Sequence, residues 1–147
     1  MIKVSDKKKD LTFVEGYQKN VSKFQGKHLL LELYGCNSEK LNDEPFIRDK
    51  LNLASKLAKA KVLNIVSHKF EPFGVTAIVL LAESHMSIHT WPESGYSAVD
   101  IFTCGREMKP YLASQFLLEK FEATNHYLKT VNREYPLTIE GNSRKFE

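Results

Sequence analysis

The 147-residue chain reads as an α+β fold: a two-layer sandwich whose mainly antiparallel sheet carries two helices on one face. Three observations predict it. Short β-rich runs follow one another with connections too short for crossovers, which favours antiparallel pairing. Two stretches, opened by Pro45 and Pro110, carry apolar residues at helical spacing. Two helices cover only one sheet face and leave the other bare.

The elements follow in chain order. Residues 28–34 (HLLLELY) are a short apolar run ended by Gly35, and read as a strand. Asn42-Asp43-Glu44-Pro45 offers a capping side chain and a proline suited to a first helical turn. Phe46, Ile47, Leu51, Ala54, Leu57 and Ala58 then repeat at helical spacing, with Arg48, Lys50, Lys56 and Lys59 outside. Residues 62–70 read as a strand, Glu71-Pro72-Phe73-Gly74 as a turn and residues 75–82 as a buried strand. Within residues 85–91, Met86 and Ile88 alternate with His85, Ser87 and His89, which assigns the first pair to the core; Pro92 ends the run. Residues 97–103 form another strand. Lys109-Pro110 opens a second helix with Leu112, Phe116, Leu117 and Phe121 turned inward, and residues 127–131 form a last strand. Glu32, a carboxylate inside an apolar run, faces either the site or the exposed side of the sheet.

Composition bounds the function classes. Length predicts one domain, residues 26–140, behind a basic extension at 1–25 and ahead of a tail at 141–147. The net charge is +3, and residues 1–27 hold seven lysines against three acids. The excess is therefore a solvated arm, not a nucleic-acid groove. No apolar run approaches the roughly 20 residues needed to span a bilayer. The lysine-rich start is not a secretory signal. Two cysteines, Cys36 and Cys104, make no disulfide framework, so a reduced cytoplasmic setting is expected.

The chemistry concentrates in Glu83-Ser84-His85-Met86-Ser87-Ile88-His89-Thr90-Trp91-Pro92-Glu93, followed by residues 96–105. Polar groups at that density would each cost free energy if buried unpaired, so they mark a site. Spacing alone says no more than that. Glu83-Ser84-His85, with His89 five residues after Ser84 and Cys104 twenty after it, resembles the prokaryotic S-adenosylmethionine decarboxylase proenzymes over roughly residues 26–105. The resemblance implies autocatalytic cleavage between Glu83 and Ser84 and conversion of Ser84 into a pyruvoyl group. That covalent cofactor forms a Schiff base with the substrate and acts as its electron sink, as pyridoxal phosphate does elsewhere. The resemblance implies that His89 moves a proton during processing and that Cys104 is the catalytic proton donor. It further implies that Phe70 stacks on adenine, that Glu93 accepts the ribose hydroxyls and that Thr76 supports processing where the family has serine. It assigns no metal.

A period of two puts Ser84 and His89 on opposite strand faces, so a turn or twist near Ser84 is expected. The implied product is decarboxylated S-adenosylmethionine, the aminopropyl donor for spermidine-type polyamines, made by a homodimer of cleaved protomers. Three other readings compete. A pyruvoyl-dependent arginine or ornithine decarboxylase would share the machinery but not need Phe70 and Glu93. A metal-binding protein would use His85, His89 and Cys104. An uncut homologue would act only as a binding partner.

Overall fold

The computed structural model describes residues 25–134. The tail expected at 141–147 and the basic extension lie outside them, except that Gln25 is the first residue of a strand. Six strands build one sheet: β1 (Gln25–Tyr34), β2 (Val62–Lys69), β3 (Val75–Leu81), β4 (Ser84–Trp91), β5 (Tyr96–Cys104) and β6 (Asn125–Glu134). Their order is β2-β3-β4-β5-β1-β6, and every neighbouring pair is antiparallel. β1 is thus the interior strand that ties the β2–β5 meander to β6. Its alternation fits that place, with Leu29, Leu31 and Leu33 fully buried and His28, Leu30 and Glu32 on the other face only partly covered.

The helices are α1 (Ser38–Leu41), α2 (Glu44–Leu57) and α3 (Pro110–Lys120), and a 3₁₀ turn spans Pro92–Ser94. Asp43 caps α2 by accepting from the Phe46 N–H at 3.0 Å, and Pro45 sits in the first turn. Ile47, Leu51, Ala54 and Ser55 face the sheet, where Phe121, Leu117 and Ala113 from the α3 region meet them in one core. Two inward assignments are corrected. Leu57 and Leu112 are 43% and 45% exposed. In α3 the buried positions are Pro110, Ala113, Ser114 and Leu117; small residues let the helix lie close to the sheet, and Leu112 falls off that face. The short α1, capped by Asn37, carries no apolar periodicity and was not foreseen.

The opposite sheet face bears no helix. By register it presents Val66, Ile78 and Leu80, all at least 42% exposed, beside polar and aromatic groups of β1, β4, β5 and β6. Among the described residues no helix is long and apolar enough to cross a membrane.

One buried hydroxyl joins the layers. Thr90 Oγ1 accepts the Val75 N–H at 2.8 Å and donates to the Leu41 carbonyl at 2.8 Å, while Asn42 Oδ1 accepts the Gly74 N–H at 3.1 Å. These bonds pin the turn after β2 to the α1–α2 junction. Thr90→Val keeps the shape and strands a backbone donor and acceptor. A loss of about 2–6 kcal/mol is expected in urea unfolding, at about 1–3 kcal/mol for each of the two unsatisfied groups.

Candidate active site

β3 and β4 form a hairpin in which Leu81 pairs with Ser84, leaving only Ala82 and Glu83 in the loop. Ser84 therefore opens β4 directly behind a tight turn, half-buried, and its hydroxyl donates to the Phe102 carbonyl on β5. Cys104 ends β5 on the helix-free face, 8% exposed. Burial pushes its thiol above the ordinary cysteine range, the Glu83 carboxylate pushes it further up, and Arg133 pulls it down. Glu83, Ser84 and Cys104 thus gather at one end of the sheet.

The other residues singled out in the sequence gather at the opposite end. Thr76 pairs with His89 in register, and Thr76 Oγ1 lies 2.9 Å from His89 Nδ1. The hydroxyl donates when the imidazole carries its proton on Nε2. Phe70 follows β2, 47% exposed, with its ring centroid 4.7 Å from that of His68. Its N–H donates to the Gly74 carbonyl at 2.8 Å, closing the Glu71–Gly74 turn. Glu93 is exposed in the 3₁₀ turn after Trp91.

The turn expected near Ser84 is present, yet it does not bring His89 to Ser84. β4 runs straight from one to the other: Met86, Ile88 and Thr90 are buried against the helices, while His85, Ser87 and His89 lie on the open face. Five residues of strand separate Ser84 from His89 by about 16 Å, at about 3.3 Å per residue. Glu93 lies farther still. Within one chain the assigned residues form two clusters, not one.

Between the clusters lies a network that sequence reasoning missed. His28 Nε2 donates to Asp100 Oδ1 at 2.9 Å, Ser87 Oγ donates to Asp100 Oδ2 at 3.2 Å, and Arg133 Nη1 reaches His28 Nδ1 at 3.5 Å. The His28 and His85 rings lie 5.4 Å and 5.7 Å from Phe102, centroid to centroid. Toward the Glu93 end, Trp91 stacks on Tyr96 at 5.0 Å and Tyr96 on Tyr34 at 5.5 Å. The Tyr96 hydroxyl donates to Glu32, and burial together with that carboxylate pushes its pKa up to about 12. Glu32 is therefore on the helix-free face, held by a phenol. The period-two alternation could have put His28 and Asp100 on one face, but only the β1–β5 register, which makes them diagonal neighbours, brings them together.

Glu71-Pro72-Phe73-Gly74 and the Glu93 turn leave the second cluster open to solvent. Beside the first cluster a cleft of about 370 Å³ is lined by Gln25, Lys27, Thr103, Gly105, Arg106 and Met108, among others. Among the described residues, no three or more His, Cys, Asp or Glu side chains are placed to hold a metal ion. His85 and His89 do not converge with Cys104 on one point.

The charges around Cys104 give a signed expectation. In uncleavable Ser84→Ala protein, Glu83→Gln removes a carboxylate that raises the thiol, so more thiolate forms at pH 8 and alkylation by iodoacetamide quickens. Arg133→Gln removes a cation that lowers it, so alkylation slows. Changes of about two- to tenfold, within one pKa unit, should appear in mass-spectrometric mapping of Cys104.

Comparison with known proteins places these residues in a family. The family model described as S-adenosylmethionine decarboxylase matches residues 27–134. An S-adenosylmethionine decarboxylase proenzyme of Prochlorococcus marinus (strain MIT 9211) is 57% identical over 116 residues, 79% of this chain and 95% of that protein. One from Synechococcus sp. (strain WH7803) is 53% identical over 114 residues, 78% of this chain and 89% of that protein. The crystal structure of the adenosylmethionine decarboxylase from Aquifex aeolicus VF5 superposes with a TM-score of 0.72 at 34% identity, covering 83% of this chain and all of that one. The antiparallel sheet with helices on one face, the Glu83-Ser84 turn and these likenesses agree: the chain belongs to the S-adenosylmethionine decarboxylase family.

Proposed function

We propose that this chain is the precursor of an enzyme that decarboxylates S-adenosylmethionine, yielding the aminopropyl donor for spermidine-type polyamines, after cutting itself between Glu83 and Ser84. The observation that carries the reading is the first cluster. A serine sits directly behind a two-residue turn, its hydroxyl is held by a backbone carbonyl, and a protonated thiol stands close enough to feel the Glu83 charge.

Maturation uses groups of this chain. Ser84 Oγ leaves the Phe102 carbonyl and attacks the carbonyl of Glu83, moving the acyl group from nitrogen to oxygen. Loss of the Ser84 α-proton then breaks the Cβ–O bond and frees Glu83 as a carboxylate. Water completes the conversion and ammonia departs. His89, hydrogen-bonded to Thr76, is the imidazole suited to the proton transfers.

The pyruvoyl group so formed supplies an electron sink for decarboxylation. The surroundings of Ser84 fit it: β4 fixes its amide, Phe102 supplies a neighbouring carbonyl, and the site is half-closed to water. Cys104 returns a proton to the substrate carbon. Burial and Glu83 both favour the protonated thiol at neutral pH, the form a donor needs. Phe70 receives the adenine face and Glu93 the ribose hydroxyls. Cys36 and Cys104 are both free, which suits a reduced cytoplasm.

The two-cluster geometry supports a homodimer as the working unit. About 16 Å of strand parts Ser84 from His89 in one chain, too far for a direct proton transfer between them. A two-fold pairing of open sheet faces sets one protomer's Ser84 end against the partner's His89 end, twice over, by the self-complementarity of an isologous contact. It also covers Val66, Ile78 and Leu80, which would otherwise stay in water.

Two experiments test this. Denaturing electrophoresis should resolve fragments 1–83 and 84–147, the smaller one blocked to Edman degradation, and the cleaved protein should release labelled carbon dioxide from S-adenosylmethionine rather than from arginine or ornithine. Ser84→Ala should stay whole; wild type that stays whole after long incubation refutes self-cleavage. For the dimer, Cys104→Ala and Glu93→Ala proteins are each prepared and then mixed under exchange conditions. Mixed dimers carry one intact site, so about a quarter of wild-type activity should return. No recovery despite subunit exchange would place all the groups in one chain.

A further inference from the structure

We propose that Arg133 on β6 receives the carboxylate of the substrate, an inference that rests on the decarboxylase reading above. Gly26 on β1 pairs with Cys104 of β5 on one side and with Arg133 of β6 on the other. Directly opposed residues share a sheet face, so Cys104, Gly26 and Arg133 form one row across the open face. The outer two are about 10 Å apart at the backbone, two strand spacings. Gly26 puts no side chain between them. Its missing Cβ makes room for Phe102, whose Cε2 would lie 2.8 Å from a Cβ at that position.

Phe102 in turn carries the cation. The Arg133 guanidinium carbon lies 5.0 Å from the centre of the Phe102 ring, and Nη1 faces His28 Nδ1 at 3.5 Å. Both contacts orient the guanidinium, and neither neutralises it. Among the described residues Arg133 forms no ion pair. Its side chain is exposed on the open face, and its donors remain available. Lys129, another cation of β6 on that face, is four residues along, about 13 Å farther from the row, and lies in the row of Asp100.

The substrate's charges decide which part of it belongs here. Its amine goes to the group derived from Ser84, and its reacting carbon must lie within reach of Cys104. The carboxylate is bonded to that same carbon, so it falls on the Cys104–Gly26–Arg133 row. The sulfonium is a cation and is excluded from Arg133. Glu83, whose charge already acts on Cys104, would repel an incoming carboxylate, and Arg133 opposes that field. A fixed fork matches a carboxylate in two parallel hydrogen bonds. A strong pair would, however, stabilise the bound substrate and slow loss of carbon dioxide. An exposed guanidinium spread over a ring therefore acts in capture, and its removal should appear in KM and not as a fall in kcat.

The test uses Arg133→Gln, first checked for cleavage by electrophoresis. Its KM for S-adenosylmethionine is then compared with the inhibition constant of the decarboxylated product, which lacks only the carboxylate. KM should rise about tenfold to 100-fold, the range for a charge-assisted hydrogen bond, while the product's inhibition constant stays within about twofold. Arg133→Lys should recover part of the loss. A parallel rise in both constants, expected if Arg133 instead holds the freed Glu83 terminus or merely shapes the site, overturns the assignment. So does no change in either, or failure of the variant to cleave. Should wild type release no carbon dioxide, the decarboxylase reading falls on its own. Calorimetric Kd values for the two ligands then still judge Arg133: a preference for the carboxylated ligand that disappears in Arg133→Gln supports the site, and an equal affinity in wild type refutes it.

Discussion

A single rule, that successive strand residues point to opposite faces, governs the molecule. In β1 it sends Leu29, Leu31 and Leu33 into the helix-covered core and His28, Leu30 and Glu32 to the bare side. In β4 it buries Met86 and Ile88 and turns out His85, Ser87 and His89. In β5 Val99 and Ile101 go in, while Asp100 and Phe102 go out. Because all three strands are neighbours and antiparallel, their outward residues fall into rows, and those rows are the chemistry. A slip of one residue in any ladder would bury an imidazole or a carboxylate and expose a leucine, so the core that fixes the register also fixes the site.

The length of β4 keeps the two clusters apart within a chain. Ser84 and His89 lie five residues apart on a straight strand, about 16 Å, and its register with β3 and β5 is unbroken between them. The Ala82-Glu83 turn reverses the chain ahead of Ser84 but changes nothing between Ser84 and His89. In the proposed scheme the site that uses both is assembled across two sheets. An exposed apolar stripe at Val66, Ile78 and Leu80 is what an association surface on that face would use.

Much of this was legible in the sequence, and the failures are instructive. Six strand signals and two helix starts were read within a few residues, because Gly35, Pro45, Pro92 and Pro110 punctuate the chain physically. The first strand begins at Gln25, ahead of the apolar run, because pairing with β5 and β6 on both sides holds even its polar start. α1 escaped because four residues cannot show a period. Apolar character alone points Leu57 and Leu112 inward; Leu57 is the last residue of α2 and off its buried stripe, and in α3 the small Ala113 and Ser114, not Leu112, lie against the core. In the site, single residues were visible but their companions were not. The pairing of Thr76 with His89 spans a hairpin, whereas His28 with Asp100 spans 72 residues and Arg133 with His28 spans 105. Those long-range meetings follow from β1 being inserted between β5 and β6, and no local pattern encodes that.

Charge at the Cys104 end sets a further constraint on the site. A thiol that must donate a proton to carbon has to remain protonated near neutral pH, and burial with Glu83 favours that form. The same negative field is unsuited to an anionic substrate. In the proposed scheme cleavage sharpens the conflict, since Glu83 would then carry an α-carboxylate as well as its side chain. That scheme calls for a cation on that face, far enough from the sulfur to leave it a thiol and near enough to offset the field where a carboxylate arrives. The width of β1, which stands between β5 and β6, meets both conditions. A side chain at Gly26 would displace the ring under Arg133, and a cation directly beside Cys104 would lower its thiol toward the thiolate. In the proposed scheme β1 sets the distance between the acid and the charge that balances it, and Gly26, with no side chain, leaves the space between them to the Phe102 ring.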